Sequence, residues 1–445
     1  MAKEEIIITD EYNQVLRGIE RKEPIIFVTG RAGTGKSTLI ELIQKKHEST
    51  LALVAPTGIA ALNVEGQTIH SLFMFPADAL NRHDLANRRC PNPELFKYLK
   101  MLVIDEISMV RADMLDNIDY CLRKWRGDPS PFGGVQIVMF GDLFQLPPII
   151  SKDERNDFYN QYGSPWFFDS NVIRHSGMSC VELTRTFRHK DEAFRDILNR
   201  VRENDDHRES VAILNRTCYR DFTGGERALT LCAYNKTADN INSNKLYALE
   251  GNEKKYKCKR KGKFTDKRLP APEELVLKIG AQIMITKNTD YAVNGSLGKV
   301  VGLGQKSISV KLQHNNRLVH VNREKWEKKE YKVDDKGIKS ESVGEYHQFP
   351  MKLAWAISIH KSQGITLDSV EIDLGRGAFV AGQTYVALSR CRTIEGIKLT
   401  NPLSMRDTRA DQDVLAFYRK MRIKIKASSL PELDDASVAE LKETA

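Results

Sequence analysis

The run Gly30-Arg31-Ala32-Gly33-Thr34-Gly35-Lys36-Ser37 follows an apolar stretch at 25–28 and opens into a helix-forming stretch at 38–43. Glycines so placed let backbone N–H groups curl around the β- and γ-phosphates of a nucleotide at a helix N-terminus. Lys36 adds a point charge, and the Ser37 hydroxyl can ligate Mg²⁺. A chance glycine-rich loop would need neither the strand before it nor the helix after it. The nucleotide-binding set is therefore Gly30, Gly33, Thr34, Gly35, Lys36, Ser37 and Thr38. Downstream, 101–106 ends an apolar strand in Asp105 and Glu106. Asp105 can hold the metal through water and Glu106 can polarise an attacking water. Alone, such a pair reads as a solvated strand end; with the phosphate loop upstream it reads as hydrolysis. Gln145, in the stretch 140–148, is a neutral donor suited to sensing a γ-phosphate or orienting water. The stretch Asn235-Lys236-Thr237-Ala238-Asp239 has one residue too many for a guanine-reading loop, so GTP is not expected.

These groups need a scaffold that presents loops at the ends of buried strands. Strand-like runs near 25–28, 51–55, 101–104 and 135–140, separated by helical or loop stretches, predict a doubly wound parallel sheet, with a helix starting at Thr9-Asp10 ahead of it. The polar stretch 76–93 interrupts the alternation as a small inserted subdomain or mobile loop. A second α/β lobe begins near Val181, with strand candidates at 229–233, 283–285, 370–373 and 398–400. Short alternating runs at 299–301, 308–312 and 318–321 predict a small β-barrel inserted in that lobe. The expected division is 1–180 with an insert near 76–95, then 181–430 with a basic insert near 246–270 and the barrel near 294–348, then a polar tail at 431–445.

At 445 residues the chain is too long for one ordinary domain. It is 41% hydrophobic and 29% charged, and no apolar run reaches the roughly 20 residues of a membrane span, so a membrane protein is not expected. Its start fits neither a signal nor a transit peptide, which makes the cytoplasm the expected compartment. The seven cysteines show no C-x-x-C pair and no histidine at ligand spacing, so neither a zinc site nor a disulfide frame is expected. A net charge of +9 suits a polyanionic partner.

Further motifs join these in a fixed order. They are Ala55-Pro56-Thr57-Gly58-Ile59-Ala60-Ala61, Gly66-Gln67-Thr68-Ile69-His70-Ser71, Gly141-Asp142 with Gln145-Leu146-Pro147-Pro148, and Leu183-Thr184-Arg185-Thr186-Phe187-Arg188. His360-Lys361-Ser362-Gln363-Gly364-Ile365-Thr366 and Tyr385-Val386-Ala387-Leu388-Ser389-Arg390 follow. In this order they resemble the superfamily 1B DNA helicases over nearly the whole chain. The stretch 113–126 leading into 131–136 resembles the signature of the Pif-type helicases, relatives of the RecD subunit.

The resemblance implies two RecA-like P-loop lobes of α/β class, the barrel being similar to an SH3-like subdomain. It further implies an ATP- and Mg²⁺-dependent motor that binds single-stranded DNA and unwinds forked or structured DNA 5′ to 3′. Gln14 would read adenine, and Arg188 and Arg390 would reach across the cleft as fingers. Thr57, Gly58, Thr68, His70 and Ser71 from the first lobe, with His360, Lys361 and Ser362 from the second, would lie along the DNA strand. His189 stands where many relatives have Gln, which leaves that residue's role unassigned. The basic run 254–268, interleaved by Tyr256 and Phe264, is either a grip on phosphates or a solvated loop. Competing readings are a DNA-stimulated ATPase subunit that does not unwind alone, and a P-loop kinase, which the paired arginine motifs disfavour. A monomer, or a dimer on DNA, is expected, nucleoid-associated if bacterial.

Overall fold

The strands Ile25–Gly30, Leu51–Ala55 and Met101–Ile104 are buried at every residue. Runs apolar on both faces cannot meet water on either side, so they form the middle of a parallel sheet covered by helices twice over. In the computed structural model, which describes residues 7–31, 33–76, 82–186, 191–219, 229–264 and 269–427, this sheet has six strands. Their order is Gln67–Thr68, Leu51–Ala55, Met101–Ile104, Gln136–Gly141, Ile25–Gly30 and Ser179–Leu183, and every pairing is parallel. On one face, Val15 and Leu16 of the helix Asp10–Glu20 and Leu39 and Ile43 of the helix Lys36–His47 pack with Ile26 and Val28. On the other, Leu115, Ile118 and Leu122 of the helix Ala112–Arg126 join a core with Ile25 and Phe27. Because Met101–Ile104, Gln136–Gly141 and Ile25–Gly30 are neighbours running the same way, the phosphate loop, Asp105-Glu106 and Asp142 emerge together at one end of the sheet.

A second parallel sheet holds Ala356–Ser358, Leu229–Cys232, Val370–Asp373 and Ile397–Leu399. Between its strands lies an antiparallel sheet of Leu318–Asn322, Ser307–Leu312, Leu297–Leu303, Gln282–Ile285 and Met351–Leu353 around Ile283, Val300, Ile308 and Val310. The alternating runs expected to form a barrel are thus paired with one another. A long hairpin, Glu324–Asp334 with Gly337–Gln348, leaves this sheet and reaches the first lobe. There the Tyr331 hydroxyl accepts from the Leu53 N–H (2.9 Å) and donates to the Leu53 carbonyl (3.2 Å), and Lys329 pairs with Glu65 at 2.6 Å.

Four placements differ from the sequence reading. Ser179–Leu183 is the edge strand of the first sheet, paired with Ile25–Gly30, so that sheet runs past the boundary expected at 180. Gln282–Ile285 pairs antiparallel with Leu297–Leu303 and Met351–Leu353, not with the second lobe's parallel sheet. Apolar alternation marks a strand without naming its partner. The basic insert is not separate from the barrel region: Lys254–Lys257 pairs with Glu274–Leu277, and Lys259–Gly262 pairs with the hairpin strand Gly337–Gln348. Last, the helix Gln412–Ala427 packs on the first lobe, where Phe417 stacks on Phe168 at 4.4 Å and Arg422 binds Glu182 at 2.9 Å.

In the stretch 76–93 and just after it, the helices Arg82–Asn87 and Pro93–Tyr98 bury Leu85, Leu95 and Phe96 in the first lobe's core. The tail at 431–445, and Lys267 and Arg268 of the basic run, lie outside the described residues. No described helix is long and apolar enough to cross a membrane.

Candidate active site

Gly33 and Gly35 take left-handed backbone at φ 82° and 83°, which side-chain-bearing residues adopt only at a cost. Gly35 directly precedes the helix Lys36–His47, whose first turn has no side-chain cap. Its free N–H groups and positive dipole end favour an anion there. Lys36 is held inside the loop, donating to the carbonyls of Gly30 (2.6 Å) and Arg31 (3.0 Å). Burial lowers its pKa, against the pull of Asp142, Glu106 and Asp105. Thr34 is buried and donates to the Arg31 carbonyl at 2.9 Å, which fixes the turn from within. Tyr12, which sequence reasoning missed, donates its hydroxyl to the Gly35 carbonyl at 2.7 Å and so pins the helix Asp10–Glu20 to the loop. Gln14 stands on that same helix, half-buried.

Burial raises the Asp105 pKa. Burial, reinforced by Asp105, lifts Glu106 to about 7, while Lys36 and Arg390 pull the other way. Two desolvated carboxylates side by side ionise together only when a cation shares their field. The Asp105 carboxylate and the Ser37 hydroxyl are hard oxygen donors of the kind Mg²⁺ accepts. Glu106 itself sits at φ 51°, ψ 43°, an unusual conformation for a residue with a side chain and one typical of functional turns.

Beside this pair, Asp142 is a meeting point of the two lobes. Its Oδ1 accepts from the fully buried Arg202 at 3.1 Å, and its Oδ2 accepts from Gln145 Nε2 and from the Tyr385 hydroxyl, each at 3.4 Å. The Arg202 guanidinium lies over the Phe144 ring, 4.1 Å from its centroid. Gln145 in turn accepts from Gln363 Nε2 of the second lobe at 3.3 Å. Next to it, Gly382 has φ 75°, and a Cβ there would come within 2.4 Å of the Phe144 carbonyl oxygen and 2.5 Å of that of Gln145. Only glycine permits so close an approach. Arg202 carried no signal in the sequence: an arginine on an amphipathic helix reads as surface until the acid it meets, 60 positions away, is known.

Arg390 is buried. It donates to the carbonyls of Val386 (2.9 Å) and Ser362 (3.4 Å) and to the Ser389 hydroxyl (2.8 Å), while its charge acts on Glu106. Arg188 lies outside the described residues.

The residues expected along a DNA strand fall into two groups. In the first lobe, Thr57 caps the helix Gly58–Asn63 and Thr68 caps Ile69–Phe73, each hydroxyl oxygen accepting a backbone N–H. A capping hydroxyl still has its own proton to donate to a phosphate. Gly58, Thr68 and Ser71 line a small cleft with Lys328 and Lys329 of the hairpin, and the half-buried His70 follows Thr68 by two positions. In the second lobe, Lys361 is exposed, and burial lowers the pKa of His360. Ser362 departs from its expected role, because it is buried and donates to the Ile359 carbonyl at 2.7 Å, holding the turn. In the basic run, Lys255, Arg260 and Lys261 pair with Glu274, Glu273 and Glu345 at 3.6, 3.1 and 3.7 Å.

Comparison with known proteins adds to this geometry. A family model described as PIF1-like helicase matches residues 7–209, and one described as DNA helicase Pif1, 2B domain, matches 266–303. The chain is 36% identical over 418 residues to the ATP-dependent DNA helicase PIF1 of Danio rerio, covering 89% of this chain and 61% of that protein. It thus spans about three-fifths of the length of that curated relative. The structure of unliganded Pif1 from Bacteroides sp. matches with a TM-score of 0.86 at 36% identity, covering 94% of this chain and 97% of the other. Bacteroides Pif1 in complex with ADP-AlF3 and ssDNA matches at the same identity, covering 94% and 98%, with a TM-score of 0.68. Bacteroides sp. Pif1 in complex with ADP-AlF4 also matches with a TM-score of 0.86, so the structure here is as similar to the nucleotide-bound relative as to the unliganded one and less similar to the one that holds ssDNA.

Proposed function

The chain belongs to the PIF1-like helicase family, and on that premise we propose that it is an ATP-dependent DNA helicase that moves 5′ to 3′ along a single strand. The observation that carries the motor reading is the cross-lobe bond between Gln145, beside the phosphate loop, and Gln363, one residue beyond His360-Lys361-Ser362, while the direction of movement rests on the family resemblance alone. A change at a γ-phosphate felt by Gln145 reaches the loop proposed to face DNA through a single hydrogen bond. A Bacteroides relative solved with both ADP-AlF3 and ssDNA supports the pairing of these ligands.

The chain's own groups divide the work. Gly30, Gly33, Gly35 and Thr38 present backbone and hydroxyl donors to the phosphates, Lys36 offsets their charge, and Gln14 would read the adenine. Ser37 and Asp105 would hold Mg²⁺, which supplies charge neutralisation on the phosphates. Ionised Glu106 orients a water and takes its proton, and Gln145 fixes that water's approach. Arg390, with Arg188, would answer the negative charge that develops on the transferred group, so turnover requires the second lobe to close on the first. Closure and release, with Thr57, Thr68 and Ser71 on one lobe and His360 and Lys361 on the other, move the strand.

The test is strand separation of duplexes bearing either a 5′ or a 3′ single-stranded tail, under single-turnover conditions with excess trap strand. The 5′-tailed duplex is expected to open and the 3′-tailed one to stay largely intact. Preferential opening of the 3′-tailed duplex would reverse the polarity. Stimulated ATP hydrolysis with neither duplex opened would reduce the chain to a motor subunit.

A further inference from the structure

Three aromatic rings lie in a row on the second lobe beside the loop proposed to face DNA. Tyr234 and Phe379 are stacked at 4.8 Å with 15° between their planes, and His360 continues the row from Phe379 at 6.0 Å and 17°. Exposed aromatics usually collapse onto neighbouring apolar surface. Here Tyr234 remains 49% exposed and Phe379 41%.

The backbones carrying these rings are fixed. Gln383, fully buried, accepts from the Phe379 N–H at 3.1 Å and donates to the Ala233 carbonyl at 3.2 Å, bolting the two loops together. Asp407 accepts from the Ala378 N–H at 2.8 Å, and Arg409 donates to the Phe379 carbonyl at 3.0 Å. A rigid apolar face held open to water is pre-organised for a flat partner.

The surroundings are suited to an anion. Tyr234 precedes the helix Asn235–Ala248, whose first turn has no side-chain cap. Lys236 in that turn and Lys361 next to His360 are exposed, and neither forms an ion pair among the described residues. A fixed ring stack with an exposed outer tyrosine, flanked by unspent cations, matches one chemistry, the stacked bases and phosphates of a single-stranded nucleic acid.

We propose that Tyr234, backed face to face by Phe379 with His360 beyond it, offers its outer ring face as a stacking platform for an unpaired base of the translocated strand, the phosphates passing Lys361 and Lys236. This rests on the reading of the chain as a DNA-binding motor. It adds a contact with bases to a set of hydroxyls, amides and cations that touch only the backbone.

The test measures binding of full-length protein to a labelled oligothymidylate and to an abasic sugar-phosphate strand of equal length, by fluorescence anisotropy across a salt series. Wild type is expected to prefer the oligothymidylate. Tyr234→Ala is expected to weaken that binding roughly 5- to 150-fold, the range carried by one stacked base, and to leave the abasic strand within about twofold. Tyr234→Phe, which keeps the ring, should restore the preference. Lys361→Ala should weaken both strands and lower the log–log salt slope by about 0.7. If Tyr234→Ala weakens both strands equally, or neither, the stacking platform is overturned while the DNA-binding reading stands. Wild type that binds neither strand overturns both.

Discussion

Ile25–Gly30 and Leu229–Cys232 are both strands of parallel sheets, and each runs into a helix, yet the two turns are built for different partners. In the first lobe residues 31–35 separate strand from helix, and left-handed glycines bend the chain so that N–H groups point inward. In the second lobe only Ala233 and Tyr234 intervene. So short a turn has no room for a cradle, and it raises a side chain at its tip instead. The same scaffold therefore presents backbone in one lobe and an aromatic ring in the other, and turn length decides which. On the proposed reading, the first lobe holds the reacting groups in place and the second brings groups to them.

Arg390 tests that division hardest. If the second lobe completes the first lobe's site, Arg390→Ala should lower DNA-stimulated ATP turnover by about 10³ to 10⁵, or roughly 4 to 7 kcal/mol of barrier, with far less change in DNA affinity. Arg188→Ala should behave alike in the same steady-state assay. A loss of thermal stability in Arg390→Ala with stimulated turnover largely kept would instead make its bonds to Val386 and Ser362 its whole role.

Within the first lobe, Glu106→Gln should keep nucleotide affinity and lose turnover by about 10² to 10⁴, since the cradle and Asp105 remain. Lys36→Ala should weaken nucleotide binding itself. Equilibrium binding of a labelled nucleotide beside turnover separates the two; a Glu106→Gln protein hydrolysing ATP at the wild-type rate removes that residue from the chemistry.

The tether between the lobes sets a smaller effect. Arg422 binds both Glu182 and Glu203, and Glu203 also meets Arg202. Burial opposes ionisation of Glu203, but its bond to Arg422 and the nearby guanidinium charges outweigh it and hold the carboxyl below the usual carboxylate range. A lowered folded-state pKa gives stability that is present above the unfolded value near 4.5 and is lost as pH falls through the folded value. Glu203→Gln should therefore cost roughly 1 to 2 kcal/mol at neutral pH, allowing for partial exposure, and little in strong acid. Urea unfolding at pH 7 and pH 3 reads the difference, and equal losses at both would assign the effect to packing.

The first lobe was legible from its residues because its signals are local. Glycine spacing, a lysine, and carboxylates at the end of a buried run lie within a few positions of one another, and strand–turn–helix order fixes where they point. What the sequence hid is contact at a distance. Nothing local marks Arg202 for Asp142, Tyr331 for Leu53, or the strand Lys259–Gly262 for Gly337–Gln348. Ser362 sits within its motif, but motif membership does not say whether a hydroxyl turns outward or inward, and here it turns in. Tyr234 and Phe379 are far apart in sequence, and they meet through their own ring stacking and through Gln383, which bonds the Ala233 carbonyl and the Phe379 N–H.

Among the described residues Gln67–Thr68 pairs with Val54 and Ala55, and no other strand lies beside the earlier part of Leu51–Ala55 on that side. An open strand edge invites pairing with another chain. By taking both the N–H and the carbonyl of Leu53, the Tyr331 hydroxyl satisfies at that residue the two groups a neighbouring strand would have paired. The hairpin thus covers with a side chain the part of that edge which Gln67–Thr68 does not reach.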